Sequence, residues 1–243
     1  MIDNGIGTGR IDQPMTCCGC EVRHNGICSA LNAAELAELS KQSRRSCHHA
    51  GDKLIGESTE IVSYANVIRG VVKLSKVLED GRQQLVGLQF APDLIGRIYG
   101  TESQNTIEAA SVVELCRVPR SSLETLVADN PRLQARILKQ TLKDLDEARD
   151  WMVTLGRKTA SEKISCFLYL IASHVDPDLR RDPSRPVRFE LPLSRADIGD
   201  FLGLTIETVS RQLTKLRLEG VIRIVNHRHV EVTELRRLLA RCG

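Results

Sequence analysis

The sequence predicts an α+β fold with three successive parts: a β-rich first half, one long helix, and a C-terminal unit of short helices with a β-hairpin. Three observations predict it. Residues 50–120 alternate short β-forming runs with glycine turns. The stretch after Asn130–Pro131 changes to a helical periodicity. Residues 193–213 have the pattern of two short helices that meet at a glycine.

The length and composition suit a globular protein of about two domains. The chain has 243 residues, and its 42% apolar content can fill two cores. No apolar run approaches the roughly 20 residues needed to span a bilayer. Residues 1–10 lack the basic start and apolar stretch of a secretory signal. We therefore expect a cytoplasmic protein, in which cysteines more often bind metals or react than form structural disulfides.

Four of the eight cysteines lie within twelve residues: Cys17, Cys18, Cys20 and Cys28. Cys17 and Cys20 have the C-x2-C spacing with which two thiolates chelate one metal centre, and Gly19 permits a tight turn between them. Three thiolates from one segment need a fourth ligand, and Cys116 is the best candidate. Four thiolates bind either zinc or an iron–sulfur cluster, and the spacing alone does not decide between them.

The other cysteines have simpler explanations. Cys166 lies in an apolar helical run and is predicted to pack as a small hydrophobic side chain. Cys47, beside two histidines, is predicted to lie in an exposed polar loop before Gly51, with metal binding as the alternative. Cys242 is predicted to be a frayed terminal residue. Cys18 could replace a neighbouring ligand or attack an oxidised neighbour.

The β-rich half is predicted from three runs of residues. Residues 66–77 and 85–90 are rich in β-forming residues, and residues 79–82 between them carry a turn signal. Residues 111–118 form a further strand-like run that contains Cys116. This pattern predicts a hairpin-rich β domain.

The long helix has apolar or small residues at alternating spacings of three and four: Leu138, Thr141, Leu145, Ala148, Met152 and Leu155. Charged residues flank this seam on both sides. The pattern predicts a coiled coil between two copies of the chain. The alternative is an amphipathic helix that packs on its own β domain.

A second helix, a loop and a strand follow the long helix. The helix has one apolar stripe, formed by Ile164, Phe167, Leu168, Ile171 and Val175. The proline- and charge-rich residues 176–186 predict a loop. Phe189 and Leu191 are apolar residues in an alternating pattern, which predicts a short strand.

Residues 193–213 have the signature of a helix-turn-helix. Ser194 is placed to cap the first helix, Gly203 ends it, and Thr205 can cap the second. Val209, Leu213 and Leu216 would bury one face of the second helix, which leaves the other face open.

The open face carries side chains that can contact base edges: Glu207, Ser210 and Arg211. Arginine donates two hydrogen bonds to guanine, glutamate accepts one from cytosine, and serine suits either role. We therefore expect sequence-specific binding to duplex DNA. The alternative is an exposed ion pair between Glu207 and Arg211. A dimer would present two such helices about 34 to 36 Å apart.

The end of the chain adds a hairpin with a basic tip. Residues 221–225 and 230–232 flank a polar turn in which Arg228 could touch a phosphate, whereas His227 and His229 are explained equally well as solvated turn residues.

Residues 158–243 carry 15 Lys and Arg against 11 Asp and Glu, which gives +4. The rest of the chain carries 19 against 20, which gives −1. The positive charge thus accompanies the predicted DNA-binding unit.

The order of these parts resembles the CRP/FNR family of bacterial regulators across nearly the whole chain, and within it the oxygen-sensing FNR branch with its FnrN- and FixK-like members. Residues 203–211, Gly-Leu-Thr-Ile-Glu-Thr-Val-Ser-Arg, are similar to the recognition helix of that branch. The C-x2-C-x7-C motif is similar to the FnrN-type spacing, and Cys116 resembles the internal ligand of the family.

This resemblance implies four segments and their roles. They are a cysteine-rich cluster-binding segment (1–30), a sensory β-roll of the cyclic-nucleotide-binding type (31–128), a dimerisation helix (129–157) and a winged helix-turn-helix domain (158–243).

It also implies a cofactor, its ligands and its partners. Cys17, Cys20, Cys28 and Cys116 would hold an oxygen-labile [4Fe-4S] cluster that favours the dimer. The homodimer would bind TTGAT-like palindromic DNA, contact RNA polymerase as an activator, and control genes for growth at low oxygen.

Other kinds of regulator are less well supported. Control by a cyclic nucleotide is not expected, because Gly96-Arg97-Ile98 and Asn105-Thr106-Ile107 lack the carboxylate and arginine that hold ribose and phosphate in family members that bind cyclic AMP. No catalytic constellation or phosphate loop is present, so an enzyme is not expected either. The remaining alternatives are a zinc-stabilised or thiol-redox regulator, and a haem sensor with His24 as ligand.

Overall fold

The computed structural model of the chain describes residues 13–14, 17–180, 182, 184–226 and 228–243. The chain divides into two compact units, one that ends at Leu145 and one that begins at Asp146. Among the described residues, no helix is long and apolar enough to cross a membrane. Residues 1–10, for which no secretory signal was predicted, and the hairpin residue His227 lie outside the described residues.

The first unit is a β-roll covered by helices, as the sequence predicted. In chain order its elements are β1 (Gln13–Pro14), α1 (Ala33–Gln42), β2 (Arg44–His48), β3 (Lys53–Ile55), β4 (Ser63–Arg69), β5 (Val71–Val77), β6 (Gln83–Phe90), β7 (Leu94–Ile95), β8 (Thr106–Ala109), β9 (Val113–Pro119), α2 (Arg120–Asp129) and the first part of α3 (Pro131–Arg157). The strands pair antiparallel in two sheets, with the orders β1-β2-β9-β4-β7 and β3-β8-β5-β6.

Strand β9 contributes to two different cores. Because successive side chains of a strand point to opposite faces, Val113 and Leu115 enter the core between the two sheets, whereas Cys116 enters a second core on the outer face. The outer core also receives residues from α1, α2 and the start of α3. Cys116 is therefore held by a rigid central strand and faces the N-terminal segment.

The helices of the first unit are joined at Asn130. The Asn130 side chain accepts a hydrogen bond from the backbone N–H of Leu133 at 3.0 Å, which caps α3. Its amide also donates to Glu35 Oε1 at 2.8 Å, and Glu35 lies in the first turn of α1. The start of α3 is thereby fixed to the helix that follows the cysteine segment.

The second unit contains the winged helix-turn-helix that the sequence predicted. The final turns of α3 pack into it through Trp151, whose ring centroid lies 4.6 Å from that of Phe201. The other elements are α4 (Ala160–Val175), β10 (Val187–Glu190), α5 (Arg195–Leu202), α6 (Ile206–Leu218), β11 (Ile222–Val225), β12 (His229–Val232) and α7 (Leu235–Leu239). The strands form one antiparallel sheet in the order β10-β12-β11.

The predicted apolar stripe of α4 is confirmed at four of its five positions. Ile164, Phe167, Leu168 and Ile171 are buried. Val175 was predicted to be buried with them, but 52% of its surface is exposed because it is the last residue of the helix.

Three predictions for isolated cysteines were wrong. Cys47 lies half-buried in β2, opposite Glu114 of β9, and not in an exposed loop. Its neighbour His48 is buried, and this burial lowers the pKa of the His48 imidazole. Cys242 is buried rather than frayed. Cys166 is only half-buried, and its sulfur accepts a hydrogen bond from Lys158 at 3.3 Å.

Gly70 joins β4 to β5 at a position that no other residue fits. Its φ is +87°, and a Cβ atom there would lie 2.2 Å from the carbonyl oxygen of Val112. Gly81 has nearly the same φ, +85°, but open space around it. The two glycines therefore separate the cost of the backbone conformation from the cost of the steric clash.

We expect Gly81→Ala to destabilise the protein by about 1 kcal/mol through its left-handed backbone alone. Gly70→Ala adds the clash with Val112 and should cost about 2 to 4 kcal/mol. Urea denaturation of the two variants measures the difference. Equal loss of stability in both would contradict the close approach at Gly70.

Candidate cysteine centre and nucleic-acid interface

The N-terminal cysteines lie on two short 3-10 turns. The first turn, Cys17–Gly19, brings the N–H of Cys20 to 3.3 Å from the carbonyl oxygen of Cys17. The second turn, Ile27–Ala30, contains Cys28. Gly19 does not have a left-handed φ, and a Cβ atom there would have no neighbour within 4 Å. The prediction that the tight turn depends on glycine is therefore wrong. The side chain of Cys18 lies outside the described part of the structure.

The structure brings the four predicted ligands together. Cys17 and Cys116 are buried in the outer core of the β-roll, and the half-buried Cys20 and Cys28 pack against the same core. Ile27 and Leu31 of the N-terminal segment enter this core as well. The segment is thus folded onto the outer face of the sheet, with its thiols beside Cys116.

The four thiols are close enough to influence one another's ionisation. Burial raises the pKa of Cys28 to about 12, and negative charge on Cys17 and Cys20 contributes to the increase. Burial likewise raises the pKa of Cys116 to about 12, with further contributions from the other three thiols. At neutral pH, Cys28 and Cys116 therefore lose their protons readily only beside a positively charged centre.

The chemistry of the donor set fits a thiolate-bound metal centre. All four candidate donors are sulfur, which suits zinc and iron–sulfur clusters. Asn66 lies opposite Cys116 on the neighbouring strand, and within the described residues its buried Oδ1 has no hydrogen-bond partner. As they stand, however, the described residues contain no group of three or more His, Cys, Asp or Glu placed to hold a metal ion. His24, the alternative haem ligand, is exposed.

Helix α3 holds the loop between Cys20 and Cys28. The guanidinium of Arg136 donates to the carbonyl oxygen of Gly26 at 3.3 Å, and also to that of Asn25. A Cβ atom at Gly26 would lie 3.2 Å from Pro92 Cβ, so the loop also packs closely on the β-roll. No pattern in the sequence indicates this role of Arg136, because its partners are backbone atoms about 110 positions away.

A cavity of about 700 Å³ lies beside this loop in the first unit. Among its described lining residues the charged ones are Arg97 and Asp144, and Ile27, Leu94 and Leu138 supply apolar surface. Gly96 and Arg97, from the motif that departs from cyclic-AMP-binding relatives, both line it. The prediction that no cyclic nucleotide binds here stays a prediction.

The predicted caps of the helix-turn-helix are present. Ser194 Oγ accepts from the N–H of Asp197 at 3.1 Å, and the Asp197 carboxylate accepts from the N–H of Ser194 at 3.1 Å. Gly203 ends α5 with a φ of +63°. Thr205 Oγ1 accepts from the N–H of Thr208 at 3.3 Å, which caps α6. The turn is therefore fixed by local hydrogen bonds.

Helix α6 buries one face and exposes the other, as predicted. Val209, Leu213 and Leu216 are buried, whereas the predicted DNA-contacting residues are all exposed: Glu207, Ser210 and Arg211. Arg211 Nη2 donates to Thr208 Oγ1 at 3.4 Å, and no ion pair joins Glu207 to Arg211 among the described residues. Backbone and Thr205 hydrogen bonds at the helix start lower the pKa of Glu207, so its carboxylate is an acceptor at neutral pH.

Basic side chains of the wing face carboxylates on neighbouring strands. The Arg228 guanidinium lies 3.6 Å from the Glu190 carboxylate. Arg223 and Arg188 lie 3.7 and 3.1 Å from the carboxylate of Glu231. The arginine side chains themselves are largely exposed, so a phosphate can compete with the carboxylates for them.

The predicted seam of α3 is mostly uncovered in the single chain. Leu138, Leu145 and Met152 are 60%, 44% and 71% exposed, and Leu155 is half-buried. The alternative, in which the stripe packs on its own β domain, is therefore wrong at the three exposed positions. Leu142 and Val153, at 52% and 57%, widen the apolar stripe beyond the predicted seam. The exposed positions Thr141 and Ala148 complete the seam.

Comparison with known proteins gives consistent matches for both units. Residues 162–241 match the Crp-like helix-turn-helix domain, and residues 45–130 match the cyclic nucleotide-binding domain. A probable transcriptional activator of Rhizobium leguminosarum bv. viciae is 49% identical over 230 residues, which cover 93% of this chain and 94% of the relative. The transcriptional activator protein FnrL of Cereibacter sphaeroides is 37% identical, with 93% of this chain and 92% of FnrL covered.

A solved structure supports the same relationship. The structure of FixK2 from Bradyrhizobium japonicum matches with a TM-score of 0.73 at 31% identity. The match covers 83% of this chain and 98% of FixK2.

The raised pKa values of Cys28 and Cys116 can be measured in metal-free protein under anaerobic conditions. At pH 8 we expect iodoacetamide to alkylate both at least about tenfold more slowly than the half-buried Cys47, because only thiolates react. Their rates should continue to rise above pH 10. Peptide mass spectrometry over time gives the rate at each site. Alkylation of Cys116 as fast as that of Cys47 at pH 8 would show that the four thiols are not packed together.

Proposed function

The chain belongs to the CRP/FNR family of transcriptional regulators, and we propose that it is an oxygen-responsive activator with a labile [4Fe-4S] cluster as its sensor. The proposed ligands are Cys17, Cys20, Cys28 and Cys116. As a homodimer it would bind TTGAT-like palindromic DNA and contact RNA polymerase to control genes for growth at low oxygen.

The observation that carries the proposal is that Cys17 and the distant Cys116 lie in one core, against which Cys20 and Cys28 also pack. All four donors are thiols, and three come from a segment with the spacing of a metal-binding motif. When bound, the cluster would supply the oxygen-labile centre that the family resemblance implies.

Two contacts support a connection from the cysteine segment to α3. Arg136 holds the carbonyl oxygens of the loop before Cys28, and Leu133 lies in the same core as Cys17 and Cys116. Leu138, two residues after Arg136, begins the exposed stripe. An ordered segment would fix the start of α3 and so present this stripe to a second chain.

The DNA side of the proposal follows from α6. A charged acceptor, a hydroxyl and a guanidinium occupy one exposed face at the N-terminal half of the second helix, which is the part that contacts base edges in helix-turn-helix proteins. Each chain has one such helix, so two-fold pairing through α3 would match a palindromic site.

Serine replacement of each proposed ligand tests the sensor. We expect Cys116→Ser, like the other three single variants, to lose most bound iron and to weaken anaerobic binding to a TTGAT palindrome about tenfold or more. Cys47→Ser is the matched control, because Cys47 lies on a neighbouring strand but is not one of the four proposed ligands. This variant should keep its bound iron and its affinity for DNA. Full iron content in Cys116→Ser would remove Cys116 from the ligand set. If the wild-type protein instead holds zinc through the same four cysteines, the zinc-stabilised alternative is favoured. If the wild-type protein holds no metal, the thiol-redox alternative is favoured.

Arg136→Ala should loosen the cysteine loop. Loss of the charged hydrogen bonds to Asn25 and Gly26 is expected to cost about 1 kcal/mol locally, which corresponds to roughly fivefold faster amide exchange. Hydrogen exchange of residues 25–28, read by mass spectrometry, measures it without any cofactor. Arg132→Ala, an exposed arginine one turn earlier on α3, is the control. Unchanged exchange in Arg136→Ala would mean that α3 does not hold the loop.

Arg211→Ala should reduce DNA affinity by about 1 to 3 kcal/mol and relax the preference for guanine at one position of each half-site. The measurement is competitive binding to duplexes that differ only at that base. Arg217→Ala, exposed in the last turn of α6, should leave base preference unchanged. If Arg211→Ala weakens binding equally on every sequence, Arg211 contacts phosphate and not a base.

A further inference from the structure

The second unit contains a pair of cysteines that the proposed function does not use. Cys166 lies in the second turn of α4, and Cys242 follows α7 near the end of the chain. Helix α7 packs on α4, so residues 76 positions apart in sequence meet. Lys158, just before α4, is the third member of the group.

The sulfur of Cys166 is surrounded by polar groups. Lys158 Nζ donates to it at 3.3 Å, and the carbonyl oxygen of Cys242 lies 3.5 Å away. The Cys242 thiol donates to the carbonyl oxygen of Leu238 at 3.5 Å, and its side chain lies close enough to Cys166 to influence the ionisation of that thiol. Cys242 is only 7% exposed, whereas Cys166 is partly exposed. One sulfur is therefore accessible to a small molecule, and the other is held behind it.

The charges around the pair differ for the two sulfurs. Interaction with the Cys242 side chain lowers the pKa of Cys166 to about 6, and the hydrogen bond and positive charge of Lys158 lower it further. Burial and the Glu162 carboxylate act in the opposite direction and raise the pKa of Cys166. The interaction with Cys166, together with burial, raises the pKa of Cys242. At neutral pH, Cys166 is the nucleophilic thiolate and Cys242 the protonated partner.

We propose that Cys166 and Cys242 form a peroxide-reactive dithiol that closes into a disulfide within one chain. A partly exposed thiol, an adjacent cation and a second cysteine in contact with the first are the three components that such a site requires. The site is separate in sequence from the four proposed cluster ligands and independent of them.

The chemistry balances with hydrogen peroxide as the oxidant. The Cys166 thiolate attacks one peroxide oxygen, so an S–O bond forms, the O–O bond breaks and hydroxide leaves to take a proton. The Cys242 sulfur then attacks the sulfenic sulfur, an S–S bond forms, the S–O bond breaks, and water leaves with the Cys242 proton. Two thiols and one peroxide give one disulfide and two waters.

The full chain, purified without oxygen, is treated with one equivalent of hydrogen peroxide at pH 7, blocked with iodoacetamide and digested without reduction. We expect a cross-linked peptide that joins Cys166 to Cys242 and is lighter by two hydrogen atoms than the two thiol peptides. The reaction should finish before Cys47 is oxidised. The new bond closes a long loop between α4 and the chain end, so the melting temperature should rise.

Two variants separate the roles of the group. Cys242→Ser should stop at a sulfenic acid on Cys166, which dimedone traps, because the second sulfur is absent. Lys158→Gln should slow the oxidation of Cys166 several-fold at pH 7, whereas Lys215→Gln, a lysine on α6, should not. These variants leave Cys166 in place, so they test the mechanism even if Cys166→Ser folds poorly.

Three results would overturn the proposal. They are oxidation of Cys166 no faster than that of Cys47, linkage of Cys166 to a cysteine other than Cys242, and an oxidation rate that Lys158→Gln does not change.

Discussion

The burial of Cys116 on the outer face of β9 is the constraint on which the candidate sensor depends. Strand β9 lies between β2 and β4, so the position of Cys116 is as rigid as the sheet itself. Because successive side chains of a strand point to opposite faces, Leu115 lies in the core between the sheets and Cys116 faces the N-terminal segment. The segment has short 3-10 turns and packs on the outer core that contains this thiol.

The same packing places the candidate cysteine site next to α3. Leu133 and Ile137 of α3 contact the core that contains Cys17 and Cys116, and Arg136 between them holds the loop that leads to Cys28. Residues 133–137 therefore face the cysteine segment, and the same helix carries exposed leucines immediately after them, at positions 138, 142 and 145. If the cysteine segment becomes ordered or disordered, this one helix can transmit the change to the proposed dimer surface, and the β-roll does not need to move.

Local sequence signals predicted the elements that local interactions fix. The helix-turn-helix could be predicted in detail because Ser194, Gly203 and Thr205 cap helices within a few residues of themselves. Spacing predicted the cysteine set, although only the strand order places Cys116 beside it. The role of Arg136 and the meeting of Cys166 with Cys242 could not be predicted, since each joins residues 76 or more positions apart through atoms that leave no periodic pattern.

Metal analysis of the anaerobically purified wild-type protein tests the central claim most directly. Iron, acid-labile sulfide and zinc are measured per chain, and visible absorption is followed during exposure to air. The account predicts about four iron and four sulfide per chain, with an absorption that bleaches in air. Stoichiometric zinc, or a chain without metal, would contradict it and leave a DNA-binding regulator whose signal acts on its thiols.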